Sequence, residues 1–140
     1  MQNASDATIH TILTVTRNIA LVGFSANPAR PSHDVARFLV ANGYRVIPVN
    51  PGLAGQMFEG EPIRAKLSDC PADVELVDIF RRSDQVGPVV DEAIAHLPNL
   101  RAIWMQIGVH DPAAAERADA HGLSVVWNKC PKIEIPRLLA

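Results

Sequence analysis

The stretch from residue 18 to 38, NIALVGFSANPARPSHDVARF, constrains the fold more than any other part of the chain. Residues 19–22 form a short apolar run that stops at Gly23. A loop over 24–31 follows, and Ser32 then opens an amphipathic segment with Val35, Phe38 and Leu39 on one face. A short apolar run ended by glycine reads as a buried strand, and apolar positions three and four apart read as a helix packed on it. The first turn of a helix carries N–H groups without acceptors and a partial positive charge, which suits a phosphate. Ser25 and Ser32 add hydroxyls there, and Arg30 adds a guanidinium whose paired donors match two oxyanion oxygens. Ser32 is also the expected N-cap of the helix.

The rest of the chain repeats this alternation. Residues 6–15, apolar at Ile9, Ile12, Leu13 and Val15, form a leading helix capped by Ser5. Asn42-Gly43 closes the helix that begins at Ser32. Further strands are expected over 44–49, 74–80, 101–107 and 123–127, with helices over 84–97, 112–120 and 131–139, the last limited by Pro136. Residues 53–62 have room for one short strand around Met57 and Phe58, and 63–69 for one or two helical turns. Strands alternating with helices of these lengths imply parallel βαβ units with right-handed crossovers. The expected fold is α/β, a Rossmann-like, doubly wound, mainly parallel sheet of about five strands with flanking helices. It forms one domain over 1–140, of which 1–17 is the leading helix.

The formal net charge of −2 and the absence of a basic run argue against nucleic acid or an anionic membrane as partner. No apolar run approaches the roughly 20 residues that span a bilayer, and the first residues lack the plan of a signal peptide. A cytoplasmic location is expected, with Cys70 and Cys130 as free thiols. There is no CxxC or HxxxH spacing for a metal.

In such a sheet, ligands bind beyond the carboxyl ends of the strands. Those ends are Gly23-Phe24-Ser25, Asn50-Pro51-Gly52, Phe80-Arg81-Arg82, Gln106-Ile107-Gly108 and Asn128-Lys129. The dinucleotide fingerprint GxGxxG is not met, because Ser25 and Pro28 stand where its later glycines would. The second strand ends in Asn50 rather than in an acid for a ribose diol, which argues against an NAD(P)-dependent oxidoreductase. There is no Ser–His–Asp spacing, nucleophile elbow or pair of strand-end carboxylates, so no catalysis is expected.

GFSANPARPS resembles the GxSxxPxRxS turn of the small stand-alone bacterial CoA-binding proteins, relatives of the CoA-binding domain in the succinyl-CoA synthetase alpha subunit. The resemblance continues through VIPVNP at 46–51, VDIFRRS at 77–83, IWMQIGV at 103–109 and CPKIEIPRL at 130–138. It implies that the chain binds coenzyme A or an acyl-CoA. The pyrophosphate would lie near Gly23, Phe24, Ser25, Arg30 and Ser32, and the adenosine end toward Asn50 and Pro51. The pantetheine arm would pass Phe80, Arg81, Gln106, Ile107 and Gly108. The chain departs from the family in two places. Gly52 stands where relatives often have a lysine, and Asn128-Lys129 replaces Asp-Arg. An accessory subunit of an acyl-CoA synthetase is the other reading, and a homodimer is open.

Several residues keep two roles at this stage. Gly23 serves a ligand or simply a turn, and Phe80 serves the core or the pantetheine arm. One of Arg81 and Arg82 binds ligand while the other pairs with an acid such as Asp78 or Glu92. Trp104 and Trp127 belong to the core or a subunit contact rather than a stacking platform. Cys130 is an inert buried thiol or, beside a thiol cofactor, the partner in a mixed disulfide. Glu134 pairs locally.

Overall fold

A computed structural model describes residues 1–139; residue 140, part of the expected domain, lies outside them. Strands β1 (Asn18–Val22), β2 (Arg45–Val49), β5 (Leu76–Ile79), β6 (Ala102–Met105) and β7 (Ser124–Val126) form one parallel sheet in the order β2-β1-β5-β6-β7. A small hairpin of β3 (Met57–Phe58) and β4 (Glu61–Pro62) lies outside it. The chain winds outward from β1 to β2 and then returns to the other side of β1, so strand order reverses between β1 and β5. A crevice opens at such a switch point because the connections leave in opposite directions. The five-strand, Rossmann-like α/β architecture is the one expected from the sequence.

Successive strand residues face opposite sides, and both sides are covered. Ala20, Ile47, Val77 and Ile103 pack beneath α3 (Val86–His96) and α4 (Pro112–Ala120). Leu21, Val46, Leu76 and Trp104 pack beneath α1 (Asp6–Val15), α2 (Pro31–Ala41) and α5 (Pro131–Leu139). Ser5 caps α1 by accepting from the Thr8 amide (3.2 Å). The first and last helices are fastened to each other, because Arg137 donates to both carboxylate oxygens of Asp6 (2.7 and 3.0 Å) and to Glu134 (2.7 Å). Glu134 also lies 3.6 Å from Lys129, so its local pairing is as expected.

Residues 63–69 hold one helical turn, within the expectation, and it is the 3-10 turn Leu67–Asp69, with Arg64 before it in an isolated bridge to Val49. Other local expectations need correction. Residues Ser83–Gln85 are likewise 3-10, and the α-helix behind them starts only at Val86. Pro136 does not end α5, which runs on to Leu139. The ring removes the donor to the Lys132 carbonyl, but Lys132 is exposed, a setting in which solvent replaces such a donor. Trp104 is fully buried, while Trp127 is partly buried and stacks on His110 with ring centroids 4.5 Å apart.

Candidate functional site

The rim beyond the carboxyl ends of β1, β2, β5 and β6 begins at Gly23. Its φ of +88° favours glycine, and a Cβ there would fall inside the Phe80 carbonyl. Glycine is therefore required by the backbone of the neighbouring strand end as much as by any ligand. The Gly23 and Phe24 amides both donate to the Val49 carbonyl (3.1 and 3.3 Å). Asn50 completes the joint, with its Nδ2 donating to the Phe24 carbonyl (2.7 Å) and its Oδ1 accepting from the Gly52 amide (2.8 Å). Its side chain ties two strand ends together.

The loop after Gly23 is built the same way. The Ser25 amide donates to Ser32 Oγ (3.0 Å), the Asn27 amide to Ser25 Oγ (3.1 Å), and the Ala29 amide to Asn27 Oδ1 (3.0 Å). His33 Nδ1 sits 2.9 Å from the Ser25 carbonyl, which requires a proton on that nitrogen. Its ring packs on Phe24 and Phe58. Ser32 is thus not the N-cap. Pro31 occupies the first helical position, Arg30 is the N-cap without a side-chain cap, and the buried Ser32 hydroxyl holds the loop instead.

Two cavities flank this loop. The smaller, about 510 Å³, is lined by Gly23, Phe24, Ser25, Asn27, Arg30 and Asn50, among others. The larger, about 1040 Å³, is lined by Pro28, Ala29 and Pro31 from the same loop. Its remaining walls are Asp34, Val35, Phe80, Arg81, Arg82, Gln106, Ile107, Val109, Cys130, Lys132 and Ile133. Neighbouring residues of one loop thus face different spaces, and the loop is the partition between them.

Charge at the rim is unevenly matched. Lys132 pairs with Asp34 (2.6 Å) and Arg82 with Asp84 (3.4 Å). Among the described residues, neither Arg30 nor Arg81 has a carboxylate partner. Asp78 was an expected partner for one of the arginines and is not. It is fully buried on β5 between Leu21 and Trp104, both its oxygens lack hydrogen bonds, and burial holds its carboxyl well above the usual range. Glu92 instead accepts from the Leu67 amide (3.3 Å). Gln106 is 6% exposed, and its Oε1 is also without a partner.

Of the residues singled out in the sequence, Gly23, Phe24, Ser25, Arg30 and Asn50 line the smaller cavity. Phe80, Arg81, Gln106 and Ile107 line the larger. Ser32, Pro51 and Gly108 line neither: Ser32 braces the loop, Pro51 starts a 3-10 turn, and Gly108 is held by Asn128 Oδ1 (2.8 Å). Phe24 as a whole is 2% exposed, and its ring packs against His33 and Phe58 rather than standing in the cavity. The sequence reading left Lys132 and Ile133 out of the site and did not place Cys130 in it. The signal for them was the start of α5, whose position beside α2 depends on long-range packing.

The sequence model of a family described as "CoA binding domain" matches residues 17–136. The uncharacterized protein YneT of Bacillus subtilis (strain 168) is 32% identical over 133 residues, 95% of this chain and 96% of that protein. Among solved structures, a hypothetical protein from Pyrococcus horikoshii OT3 is 32% identical, with a TM-score of 0.90 over 100% of this chain and 98% of that one. A dinucleotide-forming acetyl-coenzyme A synthetase from Ca. Korarchaeum cryptofilum shares the fold over 85% of this chain and 28% of its own, with 24% identity and a TM-score of 0.68.

Proposed function

The chain belongs to the CoA binding domain family, and on that premise we propose that it binds coenzyme A or an acyl-CoA without catalysing a reaction of its own. The pyrophosphate sits at the first turn of α2 beside Ser25 and Arg30. The adenosine end occupies the smaller cavity toward Asn50 and Pro51. The pantetheine arm crosses the partition past Phe80 and Arg81 into the larger cavity, which Gln106 and Ile107 line.

The observation that carries this reading is the pair of arginines without carboxylate partners among the described residues, Arg30 and Arg81, on a loop and a strand end that meet at the glycine turn. Cations left unmatched beside a helix N-terminus suit an anion with several charged oxygens. The larger cavity, mostly apolar with few polar groups, suits a long arm of methylenes and amides. Asp34 is the only carboxylate lining the larger cavity among the described residues, and it is paired with Lys132.

Calorimetric titration of ligand-stripped protein with CoA, dephospho-CoA, NAD and NADP tests the reading. Saturable CoA binding at micromolar concentration, with the nicotinamide nucleotides far weaker, is expected. The ratio of CoA to dephospho-CoA reads how far the 3′-phosphate is recognised with Gly52 in place of a lysine. Tight NADP binding with no CoA binding would replace this function by an oxidoreductase's. No binding of any of the four by folded protein would leave a subunit interface as the use of the rim.

A further inference from the structure

Two side chains that line the larger cavity each carry a polar atom left unused among the described residues. Cys130 lines it, is 8% exposed and forms no disulfide. Gln106 lines it as well, is 94% buried by the same measure, and holds an Oε1 with no hydrogen-bond partner among the described residues. A buried acceptor left open at a cavity wall calls for a donor on the occupant. In a pantetheine arm the donors are two amide N–H groups and one secondary hydroxyl, and the arm ends in a thiol. An arm that satisfies Gln106 brings its sulfur into the cavity that Cys130 lines.

The backbone around Cys130 is fixed from several sides. The Trp104 indole donates to the Lys129 carbonyl (2.9 Å), immediately before it. The Cys130 carbonyl accepts from the Ile133 and Glu134 amides (3.0 Å each), at the start of α5. Both neighbouring lysines are matched by carboxylates, Lys129 by Glu134 and Lys132 by Asp34.

We propose that Cys130 is a thiol–disulfide exchange site for CoA-containing disulfides, on which the protein retains CoA covalently. The proposal rests on the CoA-binding reading above. Cys130 loses its proton to solvent, and its thiolate attacks the CoA sulfur of CoA–S–S–R. The Cys130–S–S–CoA bond forms as the original S–S bond breaks, and the electron pair leaves with R–S⁻, which takes a proton from solvent. One disulfide is consumed and one is made, so no separate oxidant enters. A thiolate R′–S⁻ that attacks Cys130 Sγ breaks the Cys130–S–S–CoA bond and expels CoA–S⁻, which takes a proton from solvent, leaving Cys130–S–S–R′; a second R′–S⁻ attacking the R′ sulfur forms R′–S–S–R′ and restores the Cys130 thiolate. Cys70 is the internal contrast: it lies outside the larger cavity, and burial pushes its thiol up to about 12.

The test is intact-mass measurement, without reductant in the final step, of reduced and ligand-stripped protein incubated with symmetrical CoA disulfide. A gain of one CoA thiol moiety per chain is expected, lost on adding dithiothreitol, absent in Cys130→Ser and unchanged in Cys70→Ser. Calorimetric CoA binding by Cys130→Ser shows that this variant is folded; should it not fold, peptide mapping of the wild-type adduct locates the modified cysteine instead. Capture from CoA disulfide at least about tenfold faster than from bis(2-hydroxyethyl) disulfide, after scaling for intrinsic reactivity toward a free thiol, shows that the cavity directs it. Equal scaled rates, an adduct at Cys70, or no adduct in protein that binds CoA by calorimetry would each overturn the exchange site while leaving CoA binding intact. Absence of both binding and adduct would bring down the two readings together.

Discussion

On the β1 side of the rim the polar groups that shape the loop bond to one another. Ser25, Ser32, Asn27, His33 and Asn50 each make a hydrogen bond within the turn or across to β2. On the β6 side Gln106 Oε1 has no partner, and Ile107 and Ile133 are 57% and 55% exposed at the cavity. The first half has its shape before any ligand arrives, so little order is lost on binding there. The second half keeps unsatisfied groups that an occupant would complete. Under the proposed function, positioning of the anion and recognition of the arm are divided between two constructions on one sheet edge.

The comparison can be broken most strongly at its hinge. Gly23→Ala places a Cβ against the Phe80 carbonyl at a φ of +88°. The expected loss is about 3 kcal/mol of stability, read from the urea midpoint. Wild-type stability in that variant would show that the turn is not held by backbone approach.

Arg30→Ala should act on the ligand and spare the fold. Arg30 is exposed and has no carboxylate partner among the described residues. CoA affinity is expected to fall about 30-fold, or about 2 kcal/mol, with unfolding changed by no more than about 0.5 kcal/mol. Calorimetry beside urea denaturation separates the two.

Asp78 lies on β5, the strand between the two halves, and its carboxyl stays protonated well above the usual range because it is buried. In the unfolded chain the same group ionises near pH 4. Between those two values the folded state binds more protons, so this group's stabilisation is fully present below the unfolded value and is lost as pH rises toward the folded one. While that holds, the wild type should lose about 1.4 kcal/mol per pH unit relative to Asp78→Asn. Urea unfolding of both proteins at pH 5 and pH 7 measures the difference; parallel pH dependence would mean that the acid is ionised or solvated in the fold.

The smallest effect sharpens the comparison most. Gln106→Leu removes the open acceptor. Stability without ligand should stay equal or rise by about 1 kcal/mol, while CoA affinity falls about fivefold. Losses in both measurements would show that Gln106 is bonded in the free protein, and the contrast between the halves would fail.

Much of the architecture was legible because it depends on local periodicity. Runs such as 19–22 and 102–105 are apolar on both faces, and Val35, Phe38 and Leu39 repeat at helical spacing, so the parallel sheet and its crossovers follow. What escaped reading depends on competition or distance. Ser32 met the rule for an N-cap, but Pro31 took the first helical position and freed the hydroxyl for the loop. Arg81 and Arg82 sit close in sequence to Asp78, yet strand alternation buries that acid away from both. The gathering of Cys130, Lys132 and Ile133 at the second cavity depends on α5 crossing back beside α2, which no local pattern encodes.

Arg137 joins Asp6 near the start of the chain to Glu134 near its end. The family match begins at residue 17, after α1, while α5 supplies the wall that holds Cys130, Lys132 and Ile133 to their places. Those contacts predict that release of the first helix and loosening of that wall occur together. Amide hydrogen exchange in 6–15 and 131–139 should rise and fall in step, and a segment outside the matched region would thereby set how long whatever enters the larger cavity stays.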